Sequence, residues 1–183
     1  GDASIRFGAT GVRDDAALLR AARRRFPEAF IVYKPHPDVV TGLRAGGAPP
    51  EEALRFADHV ETRASAADCL DPADRGVTMT SLMGFEALLR GIAVTTFGRP
   101  FYAGWGLTDD VDPPPRDRRL ALPELVAAAL ILHASYVDPE TGLPAPPEPV
   151  VEALARIRAR ARRPDARLVR AWRDTVSWVL NRL

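Results

Sequence analysis

Three short apolar segments, separated by helical patterns, constrain the fold of this 183-residue chain most strongly. They read FIVYK, GVTMT and IAVTTF, and each ends abruptly at a turn or at the start of a helix. Continuous apolar runs of this length are typical of strands buried in parallel sheets, and strands that alternate with helices indicate βαβ connections. The sequence therefore predicts an α/β fold, a Rossmann-like parallel sheet with helices on both faces.

Weaker patterns fill the intervals between these strands. Asp14 or Asp15 can cap a helix. Its apolar face would consist of Leu18, Leu19, Ala22 and Phe26. The segment PPEEALRFAD opens like a helix, and a weak strand near Val60 precedes a short helix from Ser65. A further helix is predicted over 82–90.

The chain changes character after Gly106. DDVDPPPRDRR is predicted to be a loop, LPELVAAALILH a helix and VDPETGLPAPPEP a proline-rich linker, before two arginine-rich helices. We therefore predict two parts, a Rossmann-like domain over 1–147 and a helical C-terminal extension over 148–183.

Composition excludes several classes of protein. Hydrophobic content of 46% and charged content of 27% are those of a globular chain, and a net charge of +1 gives no support for nucleic-acid binding. The single Cys69 excludes an intramolecular disulfide, and no grouping of side chains has the spacing of a metal site. No apolar run approaches the roughly 20 residues of a membrane span, so a cytoplasmic location is the default expectation. Lys34 is the only lysine among 25 basic residues, which we interpret as coding bias.

Polar and glycine-rich segments follow each of the three apolar strands. Ligands bind beyond the carboxyl ends of the strands in open parallel sheets, so YKPHPD, TMTSLMGFE and TTFGRPFYAGWG are expected to converge there. His36 lies between Pro35 and Pro37, which stiffen the backbone and keep it out of a helix. Its imidazole can donate a hydrogen bond to a phosphate oxygen or a leaving group. The simpler alternative is a histidine that packs and bonds a backbone carbonyl.

The segment TSLMGFE can provide an anion site. Thr80 and Ser81 lie where a strand turns into a helix, so a hydroxyl and free N–H groups would point at one place. Glu86, one and a half turns further, can accept both hydroxyls of a ribose, and Gly84 allows close approach of a ligand or a neighbouring backbone. The alternatives are a plain helix cap and a solvated glutamate.

Five strings together resemble the capsule polysaccharide biosynthesis/export family of KpsC/LipB type. They are DASIRFG, VYKPHPDVVTGLR, TSLMGFEALLRG, PFYAGWGLTDD and AAALILHASYVDPETGLP, and the resemblance runs from Gly1 to about Pro147. It implies a retaining β-Kdo transferase that uses CMP-β-Kdo, with a GT-B fold of two Rossmann-like halves. The donor would be CMP-β-Kdo with no cofactor or metal, and the acceptor a lipid-linked glycan at the inner face of the bacterial inner membrane.

The same resemblance assigns roles to individual residues. His36 and Pro37 match a His-Pro motif that contacts the CMP phosphate, Ser81 matches the hydroxyl at the helix start, and Glu86 matches the ribose-binding acid. The aromatic residues of FYAGWG would line the cleft beside the sugar or beside the facing half of the module. These are Phe101, Tyr102 and Trp105, for which packing within the loop is the alternative. No catalytic nucleophile is assigned.

Two departures from the family qualify these expectations. A complete GT-B module needs roughly twice this length, and in the family a strand precedes DAS. We therefore expect the donor-binding, C-terminal half of a module, inactive in transfer by itself. Two alternatives stay open: another GT-B nucleotide-sugar enzyme, such as a non-hydrolysing epimerase, and a non-catalytic module of the capsule export assembly.

An amphipathic helix is predicted near the C-terminus. Its apolar stripe consists of Leu168, Trp172, Val176, Val179 and Leu183. Arginines border this stripe, which permits a helix on the membrane surface or one packed against protein. We expect self-association of the chain through the stripe, or packing of the helix onto the chain's own sheet, because exposed tryptophans are costly.

Overall fold

The computed structural model describes residues 3–9, 11–40 and 47–161. The chain divides into two compact units, Gly1–Leu125 and Val126–Leu183. The first unit contains the strands and every predicted site residue. The predicted stripe over 168–183 lies outside the described residues, so the self-association stays a prediction.

Short strands alternate with helices along the first unit. The strands are β1 (Val32–Tyr33), β2 (His59–Val60), β3 (Arg75–Thr78), β4 (Ala93–Thr96) and β5 (Asp109–Asp110). The helices are α1 (Ala3–Gly8), α2 (Asp15–Arg25), α3 (Pro37–Val40), α4 (Pro50–Ala53), α5 (Ala66–Leu70) and α6 (Leu82–Leu89), followed by α7 (Leu122–Val126). The predicted α/β class is confirmed.

All strand pairing within these ladders is parallel, as predicted. β1 pairs with β2, placing Val32 opposite His59, and β3, β4 and β5 form a second sheet in that order. In the second sheet Thr78 is opposite Thr96, which is in turn opposite Asp110. Within the described residues no ladder joins β1 to β3, so the two sheets are separate hydrogen-bonded pieces.

Helices cover both faces of the second sheet. Val77 of β3 packs with Leu18 and Ala21 of α2 in one core cluster. Its neighbour Thr78 points the other way, towards Gly84 of α6. Because successive side chains on a strand alternate between faces, α2 and α6 lie on opposite sides of the sheet. The predicted two-sided covering is therefore confirmed.

Helix α2 connects the two sheets through its buried side chains. Leu19 belongs to a cluster with Tyr33 of β1, whereas Ala21 packs against Met79 and Phe97 beside the second sheet. The helix begins as predicted, because the Asp14 side chain accepts a 2.7 Å hydrogen bond from the Ala17 N–H. One amphipathic helix thus provides apolar contacts for both sheets.

Two strand predictions need correction. FIVYK was expected to be buried throughout, but only Val32 and Tyr33 pair as a strand, and Phe30 and Val32 are 76% and 46% exposed. The face that carries Tyr33 packs under α2, and the opposite face is uncovered in the described structure. The DDVDPPPRDRR loop also begins with a short strand, β5, because Thr95 and Thr96 donate hydrogen bonds to the carboxylates of Asp109 and Asp110.

The described part of the second unit, residues 126–161, is helical with a hairpin-like turn. LPELVAAALILH begins as α7 and continues as a π-helix over Ala127–Leu132, where the His133 N–H bonds the Ala128 carbonyl five residues back. The linker is ordered by an antiparallel bridge between Val137 and Pro144, and α8 (Pro147–Ala161) follows. Among the described residues no helix has the length and apolarity to cross a bilayer.

Candidate functional site

His36 lies at the carboxyl end of β1, one residue before α3. Its Nδ1 accepts a 3.2 Å hydrogen bond from the Asp38 N–H, and the Asp38 carboxylate lies 3.5 Å from the same nitrogen. A neutral ring that accepts at Nδ1 carries its proton on Nε2, and a protonated ring carries one there too. Nε2 has no partner within the described residues, and the side chain is 52% exposed, so it can donate to a ligand.

The amino end of α6 follows β3 and is capped by Ser81, as predicted. The Ser81 Oγ accepts from the Met83 N–H at 3.2 Å, and the Ser81 carbonyl accepts from the Gly84 N–H at 3.1 Å. The Ser81 N–H itself bonds Thr78 Oγ1 at 3.2 Å. Of these first amides only that of Leu82 lacks an acceptor in the described structure. An anion would therefore meet the Leu82 N–H and the Ser81 hydroxyl proton.

Thr80 and Glu86 flank this capped end. Thr80 donates a 3.2 Å hydrogen bond to the Ser4 hydroxyl, which ties α1 to the β3–α6 turn. Glu86 is partly buried one turn after Leu82, and its carboxylate has no hydrogen bond or ion pair within the described residues. A partly buried acceptor without a protein partner is available to a ligand's hydroxyl groups. The ribose role of Glu86 stays a prediction.

Tyr102 is a core residue and does not line an open cleft. It is completely buried, and its hydroxyl donates a 2.5 Å hydrogen bond to the Ser81 carbonyl. A Cβ at Gly84 would overlap the Tyr102 hydroxyl, so the missing side chain of Gly84 makes room for Tyr102. Burial raises the pKa of Tyr102 above its ordinary value, and the nearby Asp110 charge raises it further. For Tyr102 the packing alternative is the one that fits the structure.

Phe101 and Trp105 are held beside the same helix. The Phe101 ring lies 5.0 Å from Phe85 of α6 in an edge-to-face arrangement and is 45% exposed. The Trp105 Nε1–H donates a 2.8 Å hydrogen bond to the Phe101 carbonyl, and the Arg116 guanidinium covers one face of the indole at 3.8 Å. Phe101 is therefore the aromatic ring of this loop best placed to meet a ligand.

The structure joins the two halves of the segment 78–106 but makes no direct bond from them to His36. Ser81, Gly84, Phe101 and Tyr102 form one connected cluster through the contacts above, whereas Thr80 bonds Ser4 of α1. Within the described residues, His36 has no hydrogen bond to any of them, and the side chain of Pro37 is not described. Each group nevertheless lies at the carboxyl end of its own strand, as predicted.

Asp110 organises the loop and was not anticipated as a site residue. Its carboxylate accepts hydrogen bonds from Thr96 Oγ1 at 2.7 Å, Thr108 Oγ1 at 2.6 Å and the Gly104 N–H at 2.8 Å. Gly104 has a φ of +79°, a left-handed conformation that favours glycine. No local turn pattern indicated this role, because the Gly104 amide lies six residues before Asp110.

Lys34 also lies at the carboxyl end of β1. Burial raises the pKa of the Cys69 thiol, and the positive charge of the Lys34 ammonium lowers it by a smaller amount. Cys69 is therefore not activated as a nucleophile. Lys34 was not predicted as a site residue, because its isolation as the one lysine among 25 basic residues was interpreted as coding bias.

The fold and the site define the class of protein. It is an α/β protein in which the strands of a parallel sheet end beside the start of a helix that can bind an anion. Over residues 1–138 the sequence matches the family model described as "Capsule polysaccharide biosynthesis protein". The chain therefore belongs to the capsule polysaccharide biosynthesis family, and the predicted resemblance is confirmed.

Two curated relatives share a large part of this chain. It is 54% identical over 141 residues to the capsule polysaccharide modification protein LipA of Neisseria meningitidis serogroup B, covering 76% of this chain and 20% of LipA. It is 41% identical over 155 residues to the lipopolysaccharide-processing protein LpsZ of Rhizobium meliloti, covering 84% of this chain and 35% of LpsZ. The chain thus spans a fifth to about a third of these relatives.

Solved structures of Thermosulfurimonas dismutans KpsC have the same fold. The β-Kdo 2,7 transferase superposes with a TM-score of 0.78 at 42% identity, covering 86% of this chain and 50% of that one. The β-Kdo 2,4 transferase superposes with a TM-score of 0.71 at 38% identity, covering 84% and 48%. The present chain is similar to about half of each transferase.

Proposed function

We propose that this chain is the donor-binding half of a retaining β-Kdo glycosyltransferase that builds the Kdo linker of bacterial capsular polysaccharide from CMP-β-Kdo. Membership of the capsule family and similarity to half of two Kdo transferases support the reaction class. The observation that carries the donor role is the capped amino end of α6, where the Ser81 hydroxyl and the Leu82 N–H remain available to an anion.

In this proposal the nucleotide lies across the carboxyl edge of the strands. The Ser81 hydroxyl and the Leu82 amide bind the CMP phosphate, favoured by the positive end of the helix dipole. His36 donates from Nε2 to the same phosphate, and Lys34 adds a positive charge at the same strand end. Glu86 accepts the two ribose hydroxyls, and the half-exposed ring of Phe101 forms an apolar wall beside the sugar.

The acceptor is proposed to come from outside this half. A lipid-linked glycan would approach from the facing half of the module, at the inner face of the bacterial inner membrane. The chain alone would bind CMP weakly. It would transfer no Kdo, because in this proposal the acceptor binds to the facing half of the module and no residue of this chain acts as the nucleophile.

A histidine substitution tests the proposal. In a transferase that contains this chain together with the remaining half, His36→Ala should lower Kdo turnover by about 100-fold or more. The substitution removes the hydrogen-bond donor that stabilises the negative charge on the phosphate of the departing CMP. The melting temperature should not change, since the side chain is half exposed at a strand end.

His59→Ala is the matched control, because His59 is 54% exposed at β2 and has no proposed role in the reaction. Unchanged turnover in His36→Ala, or an equal loss in both variants, would contradict the donor role.

A further inference from the structure

A cavity of about 400 Å³, broadly open to solvent, lies in the loop between Gly104 and Arg119. Its lining includes three arginines, Arg116, Arg118 and Arg119, and the main chain of Gly104 and Gly106. Cavities of a few hundred cubic ångströms are the size that small ligands occupy. None of the site residues predicted from the sequence lines this cavity.

The three guanidinium groups keep donors available. Arg116 is fixed by a 3.0 Å hydrogen bond from its Nε to the Ala103 carbonyl and by stacking on Trp105, which leaves its terminal nitrogens without a partner in the described structure. Arg119 contacts the Gly106 carbonyl at 3.4 Å, and Arg118 pairs with Glu124 only at 3.9 Å. Planar guanidinium groups with free N–H pairs recognise carboxylates and phosphates in a bidentate manner.

The acidic side chains of the lining do not cancel this charge. Asp110 lines the cavity, but its carboxylate already accepts three hydrogen bonds from Thr96, Thr108 and Gly104. Asp117 is exposed and has no partner among the described residues, so it remains as an acceptor. The lining therefore contains three positively charged arginines and one carboxylate, that of Asp117, which is available to a ligand. A ligand that matches this lining carries an oxyanion for the arginines and hydroxyl groups for Asp117.

We infer that this arginine-lined cavity binds a sugar acid, with the sugar's carboxylate on Arg118 and Arg119 and its hydroxyl groups on Asp117. The choice of a sugar acid rests on the proposed function, since Kdo is the sugar acid that the donor would carry. Arg116 is a positioning residue here, because Trp105 and Ala103 fix its plane. A bare phosphate would use the arginines but would gain nothing from Asp117.

Amide chemical shifts of the full chain test this inference without any transfer assay. Free Kdo should give saturable shifts at Gly104 and Gly106, and the methyl ester of Kdo, which lacks the charge, should bind at least tenfold more weakly. The double variant Arg118→Ala/Arg119→Ala should weaken Kdo binding about tenfold or more. The control Arg13→Ala/Arg24→Ala removes the same charge from exposed positions outside the cavity and should stay within twofold.

Equal binding of Kdo and its ester, equal affinities of the two double variants, or tighter binding of inorganic phosphate than of Kdo would overturn the sugar-acid site. A separate titration with CMP, followed at residues 80–86, reports on the proposed donor site. Kdo binding at the cavity without CMP binding would support this inference while contradicting the proposed function. CMP binding without Kdo binding would do the reverse.

Discussion

The phenol of Tyr102 donates a 2.5 Å hydrogen bond to the backbone carbonyl of Ser81, the residue that caps α6. This bond connects the aromatic, glycine-rich loop to the helix end that we assign to the nucleotide. Because Tyr102 is completely buried, the loop acts as a rigid support under the cap. Changes in the loop should therefore alter the helix end without touching the ligand.

Gly84→Ala should destabilise the fold by about 1–3 kcal/mol, because the new methyl group would overlap the Tyr102 hydroxyl in a closely packed site. Tyr102→Phe removes the nearest atom of that overlap. The double variant should therefore lose less stability than the sum of the two single variants. Urea denaturation of the four proteins measures this coupling.

Gly11→Ala is the control for this series, since nothing lies within 4 Å of the position of its Cβ. Its stability should stay within about 0.5 kcal/mol of the parent protein. Strictly additive effects of Gly84→Ala and Tyr102→Phe would show that the two residues do not share this packing.

Asp110→Ala should cost about 2–3 kcal/mol of unfolding free energy, because it leaves the buried Thr96 hydroxyl and the Gly104 amide without their acceptor. Asp117→Ala, in the same loop but exposed and unbonded within the described structure, should be nearly silent. Thermal and urea denaturation compare the two. Equal losses would mean that the hydrogen bonds of Asp110 contribute nothing specific.

Glu61 should account for part of the loss of folding stability at low pH. Its carboxylate accepts hydrogen bonds from the Ala64 and Arg63 N–H groups at 2.9 and 2.7 Å, which lower its pKa from 4.5 to about 2. Since the folded pKa is depressed, the stabilisation is fully present above pH 4.5 and is lost as the pH falls towards 2. Glu61→Gln should therefore be less stable at pH 7 and lose less stability between pH 5 and 2.5.

Unfolding free energies measured across that pH range provide the check on Glu61. Glu28→Gln serves as the control, because Glu28 is exposed and has no hydrogen bond in the described structure. Parallel pH profiles for the parent protein and Glu61→Gln would contradict the prediction.

Local patterns predicted the order of elements well, because they depend on neighbouring residues. The cap at Ser81, the end of α6 before Gly91 and the parallel pairing all follow from such signals. The sequence could not show that β1 and β3 belong to separate ladders, because pairing depends on contacts distant in the chain. The two-residue β5 was missed because side-chain bonds from Thr95 and Thr96 create it without an apolar pattern.

The residues of the candidate site also fall into two groups, those that local sequence signals could predict and those that depend on contacts distant in the chain. The positions of His36 and Ser81 beyond strand ends could be predicted, since each residue lies in a short segment between a strand and the next helix. The burial of Tyr102 could not, because it depends on the space left by Gly84 on a different element. Asp110 was missed because its three partners are distributed over a strand and a loop.

The central claim, that the edge beside α6 binds CMP, is tested most directly by calorimetric titration of the chain with CMP and 2′-deoxy-CMP. The account predicts saturable CMP binding and a preference over 2′-deoxy-CMP of about 1–3 kcal/mol, because Glu86 would lose one ribose partner. Glu86→Gln should reduce that preference. Absence of saturable CMP binding, equal affinities for the two nucleotides, or tighter binding of UDP would contradict the account.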